Sequence, residues 1–478
     1  MKKNLRCAAL YFAIMLASVF IGAMPIYAAQ DDVYYGVLFE TNGVLSDGYG
    51  RAFSRSGALW VSVSSLRAMG AGIKDASNGK GVYIYAENPA ALFGIPSLEH
   101  LVTTDGISLY FSSFKVGDEK YIDVTGMQGL LKMNYRYDGN NIIFTPNAGD
   151  RGYIAERSKN PLRDGDKVAL VWDYVTKPED ADLSKEAKIP GLNVISPTWF
   201  NLMAGDGSAA NRALLGYTDA AHAKGYNVWA LVSNSFNEKM TTAFFANNRA
   251  MDKFIAQILI YAKIYGLDGI NVDFEGMAEG SRNSFSQFIA RFANYARAEG
   301  LRFSVDVFIP ANTKSSRQHD RAAIARAADC VMLMAYDEHW RTCPRAGSVA
   351  SKPWVIRALE NTLAEGVPAK KLVLGMPFYT RRWETTNGKV KSFSLSMADC
   401  DNIVAKNGLQ KKWLEREGQN YVSYMSNGKK EEIWIEDEMS MAWRVSLVSK
   451  YDLAGVAAWS KGKEKQAAWN VIAGMFRK

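Results

Sequence analysis

Between residues 271 and 275, every second side chain is polar: Asn271, Asp273 and Glu275, interleaved with Val272 and Phe274. Alternation of this kind over residues 269–275 predicts a β-strand. Side chains two apart on a strand share a face. One face therefore carries an amide and two carboxyls, and the other carries Ile270, Val272 and Phe274. Burying such a row is costly unless each group has a partner or a task. A carboxyl at the C-terminal end of a strand, beside a second carboxyl, suits proton transfer to a leaving group. Asp268 belongs to the same acidic stretch but is out of phase with that face, so a structural role is expected for it.

Such a strand needs neighbours to position it. From Asp166 onward, short apolar runs alternate with helical stretches. The runs are Val168–Trp172, Leu192–Ser196, Asn227–Val232, Gly269–Asp273, Arg302–Phe308, Cys330–Ala335, Leu372–Met376 and Gly455–Trp459. Helical periodicity fills Asn247–Tyr265, Ser281–Glu299 and Lys352–Glu365. Eight strand-then-helix units predict an α/β fold, a (β/α)8 barrel over residues 165–478, with its active face at the C-terminal ends of the strands. The interval from Met376 to Gly455 is too long for one helix. It contains alternating runs at Tyr421–Met425 and Ile433–Glu436, so a small α+β insertion is expected at about residues 380–440.

Upstream, residues 33–148 read as a small α+β domain with an internal duplication. Trp60–Ser64 leads into a short helix and then a strand at Val82–Tyr85; Tyr121–Thr125 leads into a second helix and a strand at Ile142–Thr145. Ser64 and Thr125 are the expected N-caps. Residues 149–164 are charged and contain Gly, Asn and Pro, which reads as a linker.

The chain has 478 residues, 48% of them hydrophobic and 22% charged, with a formal net charge of +8. This is ordinary globular composition. No basic run or nucleic-acid motif is present, so nucleic acid is not an expected partner. The mild basic excess would favour anionic wall polymers. Lys2, Lys3 and Arg6 precede an uncharged, largely apolar stretch from Cys7 to Gln30, interrupted by Pro25. This is the layout of a secretory signal peptide, with cleavage expected after Ala28 and retention as an anchor the lesser alternative. The expected location is therefore secreted or at the cell envelope. Cys7 would leave with the signal. The remaining Cys330, Cys343 and Cys400 are an odd set, which argues against a disulfide framework, although Cys343 and Cys400 could pair. The four histidines show no zinc-ligand spacing, and no metal or cofactor is expected.

The motif Asp268-Gly269-Ile270-Asn271-Val272-Asp273-Phe274-Glu275 resembles the D-x-x-D-x-D-x-E signature of glycoside hydrolase family 18, the chitinase-like barrels. Met334-Ala335-Tyr336-Asp337, Leu374-Gly375-Met376-Pro377-Phe378-Tyr379 and Trp459 match further strand ends of that family, in order. One position departs from the signature: Asn271 stands where the family has its middle aspartate. The spore-cortex peptidoglycan N-acetylglucosaminidase branch typically has asparagine there. Residues 194–200 and Trp434-Ile435-Glu436-Asp437 also look like that branch. The N-terminal part resembles the copper amine oxidase N-terminal-like domain of secreted wall proteins, without a copper-ligand cluster, and a spacer or wall-binding role is expected for it.

The resemblance implies a retaining hydrolase in which the 2-acetamido group of the substrate is the nucleophile. It casts Glu275 as general acid and base, Asp273 as the group that orients the acetamido, Asn271 as the holder of Asp273, and Tyr336 as a donor to the acetamido carbonyl. Trp459 would form the sugar floor, with Asp337, Met334, Trp172, Trp199 and Tyr379 as further substrate-binding residues. The implied substrate is a polysaccharide, peptidoglycan in preference to chitin, cut after N-acetylglucosamine by a monomer. The alternatives are a chitinase, an endo-N-acetylglucosaminidase acting on N-glycan cores, or a catalytically silent carbohydrate-binding protein.

Overall fold

The computed structural model describes residues 32–102, 106–147, 154–177 and 181–476. The expected signal segment, residues 1–28 with Cys7, lies outside the described residues, as do residue 148 and residues 149–153 of the linker. The barrel strands are β1 (Val168–Asp173), β2 (Val194–Pro197), β3 (Asn227–Ser233), β4 (Gly269–Asp273), β5 (Arg302–Phe308), β6 (Cys330–Met334), β7 (Leu372–Pro377) and β8 (Gly455–Trp459). All eight expected strands are present, with ends shifted by at most two residues. Every pair is parallel, and β1 lies between β2 and β8. Pairing of Val194 with Asn227 and of Ile195 with Val228 joins β2 to β3 and closes the ring.

Two apolar layers hold the barrel. Inward-facing Leu170, Trp172, Val194, Trp229, Leu231, Met332 and Val373 fill its lumen. Outward-facing residues such as Ile270 and Val272 join the helices in a second, larger core. Burial on both faces explains why these strands read as nearly continuous apolar runs. The helices follow the expected spans closely: Asn248–Ile264, Arg282–Ala298 and Lys352–Ala364. Asn247 caps the first of them by accepting from the Arg249 and Ala250 backbone N–H groups.

The N-terminal module contains two sheets. One joins strands from both repeats, including Ala58–Ser62 paired with Glu119–Asp123, and the smaller one comprises Ile73–Asp75, Gly81–Ala86 and Ile107–Ser112. Each repeat is a strand, a short helix and a hairpin. The caps differ from expectation. Ser62, not Ser64, accepts from the Ser65 N–H at 3.1 Å, because the strand runs directly into the helix. Thr125 caps no helix; its Oγ1 accepts from Leu59 N across the repeat at 2.9 Å.

The module is docked against the barrel. Its apolar core is continuous with the outer core of the barrel. Tyr261 reaches from the helix Asn248–Ile264 to the backbone of Tyr110, accepting from its N–H at 2.9 Å and donating to its carbonyl at 3.0 Å. Ser112 Oγ donates to the Asn211 carbonyl at 2.7 Å, on a hairpin (Phe200–Leu202 with Ala209–Asn211) that extends the end of β2. The described part of the linker also packs against the barrel: Ser158 N donates to Asp268 Oδ1 at 2.8 Å.

After β7 comes the expected insertion, an antiparallel five-stranded sheet with one helix, Met397–Lys406. The Trp434–Asp437 segment anchors it. Glu436 is fully buried and receives both terminal nitrogens of the Arg444 guanidinium, at 2.7 and 2.8 Å, together with Gln419 Nε2 and Ser440 Oγ. A buried ion pair is tolerated when its remaining lone pairs are satisfied in this way. Cys343 and Cys400 are both buried and free, so the pairing left open by the sequence is absent.

Candidate active site

A cleft of about 550 Å³ opens where the strands end, with Asp273, Glu275, Asp306, Tyr336 and Trp459 among its walls. At its base, β4 and β5 are in register, with Asn271 opposite Ser304. Asn271 is fully buried and all four of its hydrogen-bonding positions are used. Its Oδ1 accepts from Trp172 Nε1 at 2.8 Å and Ser196 Oγ at 3.3 Å. Its Nδ2 donates to Ser304 Oγ at 3.0 Å and Asp306 Oδ1 at 2.7 Å. An amide has two donors and two acceptor sites, so nothing remains for Asp273. The expectation that Asn271 holds Asp273 is therefore corrected: its partner is Asp306.

Asp273 and Glu275 lie one above the other on the C-terminal edge of β4, and their carboxyls are within hydrogen-bond reach of each other. Burial, reinforced by the nearby Asp306 charge, pushes the Asp273 carboxyl well above the usual range. Burial and then the adjacent Asp273 push Glu275 up to about 9. Asp306 is also raised, first by burial, while the hydrogen bond from Asn271 pulls the other way. Three carboxyls crowded in a largely buried site oppose one another's ionisation, which favours retention of protons in the cluster. Asp273 Oδ1 is buried and finds no donor among the described residues. Glu275 is positioned through its backbone: its N–H donates to Asn234 Oδ1 at 3.0 Å, and its carbonyl accepts from Asn234 Nδ2 at 2.7 Å.

The expected substrate residues divide into two groups. Met334, Tyr336, Asp337, Tyr379, Trp172 and Trp459 all line the cleft. Asp337 adopts a left-handed backbone (φ 61°), and its Oδ1 accepts from Tyr379 OH at 2.6 Å and Arg381 Nη2 at 3.0 Å. Trp172 is almost wholly buried and acts mainly as the lumen plug that donates to Asn271. Trp199 is a correction. Its ring is buried against Tyr217 and Tyr265, away from the cleft, because the chain turns outward after β2 ends at Pro197. Asp268 is structural, as expected. It accepts from Ser158 N and from Val228 N at 2.7 Å, and its Oδ2 lies 2.8 Å from His222 Nε2.

Sequence reasoning missed four residues here. Asp306 shares an alternating row with Ser304 on β5, a signal present in the sequence. Asn234 follows β3 directly and carried no pattern. Tyr174 and Phe236 are 64% and 56% exposed, and both flank the cleft as open aromatic surfaces. Tyr174 also packs against Trp459, with ring centroids 6.1 Å apart.

A closed parallel barrel with an acid of raised pKa beside a second carboxyl, in a cleft walled by aromatic rings, is the arrangement of a glycoside hydrolase. Comparison with known proteins specifies which kind. The family model described as Glycosyl hydrolases family 18 matches residues 211–464, and the chain belongs to that family. Among its relatives is the Uncharacterized glycosylase YvbX of Bacillus subtilis (strain 168), 27% identical over 267 residues, covering 53% of this chain and 76% of that protein. The Cortical fragment-lytic enzyme of Bacillus anthracis is 21% identical over 252 residues, covering 51% of this chain and 58% of the relative. Among solved structures, the Bacillus megaterium QM B1551 spore cortex-lytic enzyme SleL superposes with a TM-score of 0.59 at 17% identity, covering 85% of this chain and 99% of that one. The chitinase of Chromobacterium violaceum ATCC 12472 gives 0.59 at 24% identity, covering 65% and 99%. These structural likenesses are in fold.

Proposed function

We propose that the protein is a secreted, retaining hydrolase that cuts β-1,4 bonds after N-acetylglucosamine in peptidoglycan by substrate-assisted catalysis. The observation that carries the mechanism is the buried Asp273 Oδ1, which has no donor among the described residues and lies beside Glu275, whose pKa is raised. An acetamido N–H is the donor that such an oxygen fits. Asp273 would hold that N–H so that the acetamido carbonyl oxygen attacks the anomeric carbon. Glu275 gives its proton to the leaving oxygen as the glycosidic bond breaks. It then takes a proton from the water that opens the cyclic intermediate, and two displacements retain configuration. Tyr336 donates to the acetamido oxygen, and Trp459 and Tyr174 offer flat apolar faces to the sugars. Asp306, held by Asn271, acts through Asp273 as a positioning residue.

Peptidoglycan is favoured over chitin by Asn271 and by the relatives named for cortex lysis. Secretion belongs to the same reading and rests on Lys2, Lys3, Arg6 and the apolar run that follows them. Digestion of cortex-type peptidoglycan, vegetative peptidoglycan and chitin, followed by mass spectrometry, tests the substrate. Fragments with reducing-end N-acetylglucosamine from peptidoglycan support it, whereas products from chitin alone transfer the protein to the chitinases. A mature N-terminus at Ala29 tests secretion.

A further inference from the structure

A second groove, of about 400 Å³, runs between the N-terminal module and the barrel mouth. Asn78, Lys80 and Phe114 form its module side, and Thr176, Asn201 and Arg212 form its barrel side. Thr176 and Arg212 also line the catalytic cleft, so the two spaces adjoin. Tyr261 and Ser112 fix the width of the groove through their bonds across the domain boundary.

The chemistry of the groove is opposite to that of the cleft. Asp273, Glu275, Asp306 and Asp337 face the cleft. The described residues lining the groove include Lys80 and Arg212 and no acid. Among the described residues, Arg212 is held by neutral acceptors, Asn201 Oδ1 at 2.8 Å and the Thr198 carbonyl at 3.1 Å, and its Nε is buried without an acceptor. Trp60, 2% exposed, also lines the groove, and its Nε1 is a second buried donor without an acceptor among the described residues. Among the described residues, these unused donors and the positive charge of Lys80 and Arg212 suit an anionic acceptor.

We infer that this groove is a substrate subsite, built jointly by the module and the barrel, for a carboxylate-bearing part of the glycan strand such as its peptide stem. The inference rests on the peptidoglycan reading and extends it, since an uncharged chitin chain would gain nothing from this charge.

Lys80 is exposed and outside the catalytic cleft, so Lys80→Glu in the full chain leaves the fold and the chemistry intact. The probes are soluble peptidoglycan fragments with peptide stems and neutral N-acetylglucosamine oligomers of equal sugar count. The expected result is a KM raised about 3- to 10-fold on stem-bearing fragments, the range of an exposed charge pair lost and reversed, with kcat unchanged and neutral oligomers unaffected. Wild-type KM on the stem-bearing fragments should also rise with salt. Equal effects on both probes, or on neither, would overturn the subsite while leaving the hydrolase reading in place. If the wild type cuts neither probe, the substrate reading fails separately. Calorimetric binding of stem-bearing fragments then decides the groove, with equal affinity of wild type and Lys80→Glu counting against it.

Discussion

Asn271 Nδ2 donates to Asp306 Oδ1 at 2.7 Å, linking neighbouring strands beneath the catalytic carboxyls. With the aspartate of the family signature at 271, two buried carboxyls would face each other at this spacing. The amide instead supplies a donor to the acid on β5.

The first prediction follows from that exchange. Asn271→Asp places an acid against Asp306 and leaves Trp172 and Ser196 donating to a new neighbour. It should lower unfolding stability by about 1–3 kcal/mol, as expected for a broken buried hydrogen bond. Asp306→Asn should shift the pH profile of kcat by removing a charge near Asp273. The double variant Asn271→Asp/Asp306→Asn restores one acid and one amide and should recover more than half of the lost stability. A double-mutant cycle by urea denaturation measures this; strictly additive losses would show that the two residues act separately.

Glu275→Gln should reduce kcat by about two to four orders of magnitude, the usual contribution of a positioned acid. Binding of the same oligosaccharide, measured by calorimetry, should persist, because the amide keeps the shape of the side chain and its backbone bonds to Asn234. Wild-type turnover in this variant would remove Glu275 from the acid role.

The pH dependence of stability has a definite sign. Glu275 is raised from 4.5 to about 9 in the fold, and Asp273 and Asp306 are raised as well. A group raised in the folded state stabilises fully below its unfolded pKa and loses that contribution as pH rises through the folded value. The stability advantage of the wild type over Glu275→Gln should therefore shrink steadily from about pH 4.5 to about pH 9. Thermal melts of both proteins across that window check it; an advantage that grows with pH would contradict the raised pKa.

Much of this site was legible because period-two and strand-then-helix patterns are local. The β4 face, the eight strands and the insertion all followed from such patterns. What escaped depended on pairing and direction. The Asn271–Asp306 contact exists only because β4 and β5 align Asn271 with Ser304. Trp199 sits just beyond a strand end, where alternation no longer specifies a face, and it turned into the core. The groove beside Lys80 needed the docking of two domains, which no single segment encodes.

That docking supplies the last prediction. Tyr261 OH satisfies both the N–H and the carbonyl of Tyr110, and its ring packs edge-on against Phe111, with centroids 5.9 Å apart. Tyr261→Phe keeps the ring and strands two buried backbone groups, a cost of about 1–3 kcal/mol. Urea unfolding should show that loss, while turnover of a short neutral oligomer stays at the wild-type level because the catalytic cleft is untouched. Turnover of stem-bearing fragments should fall if the groove loosens with the joint. Unchanged stability would mean that the module is held by its apolar core alone.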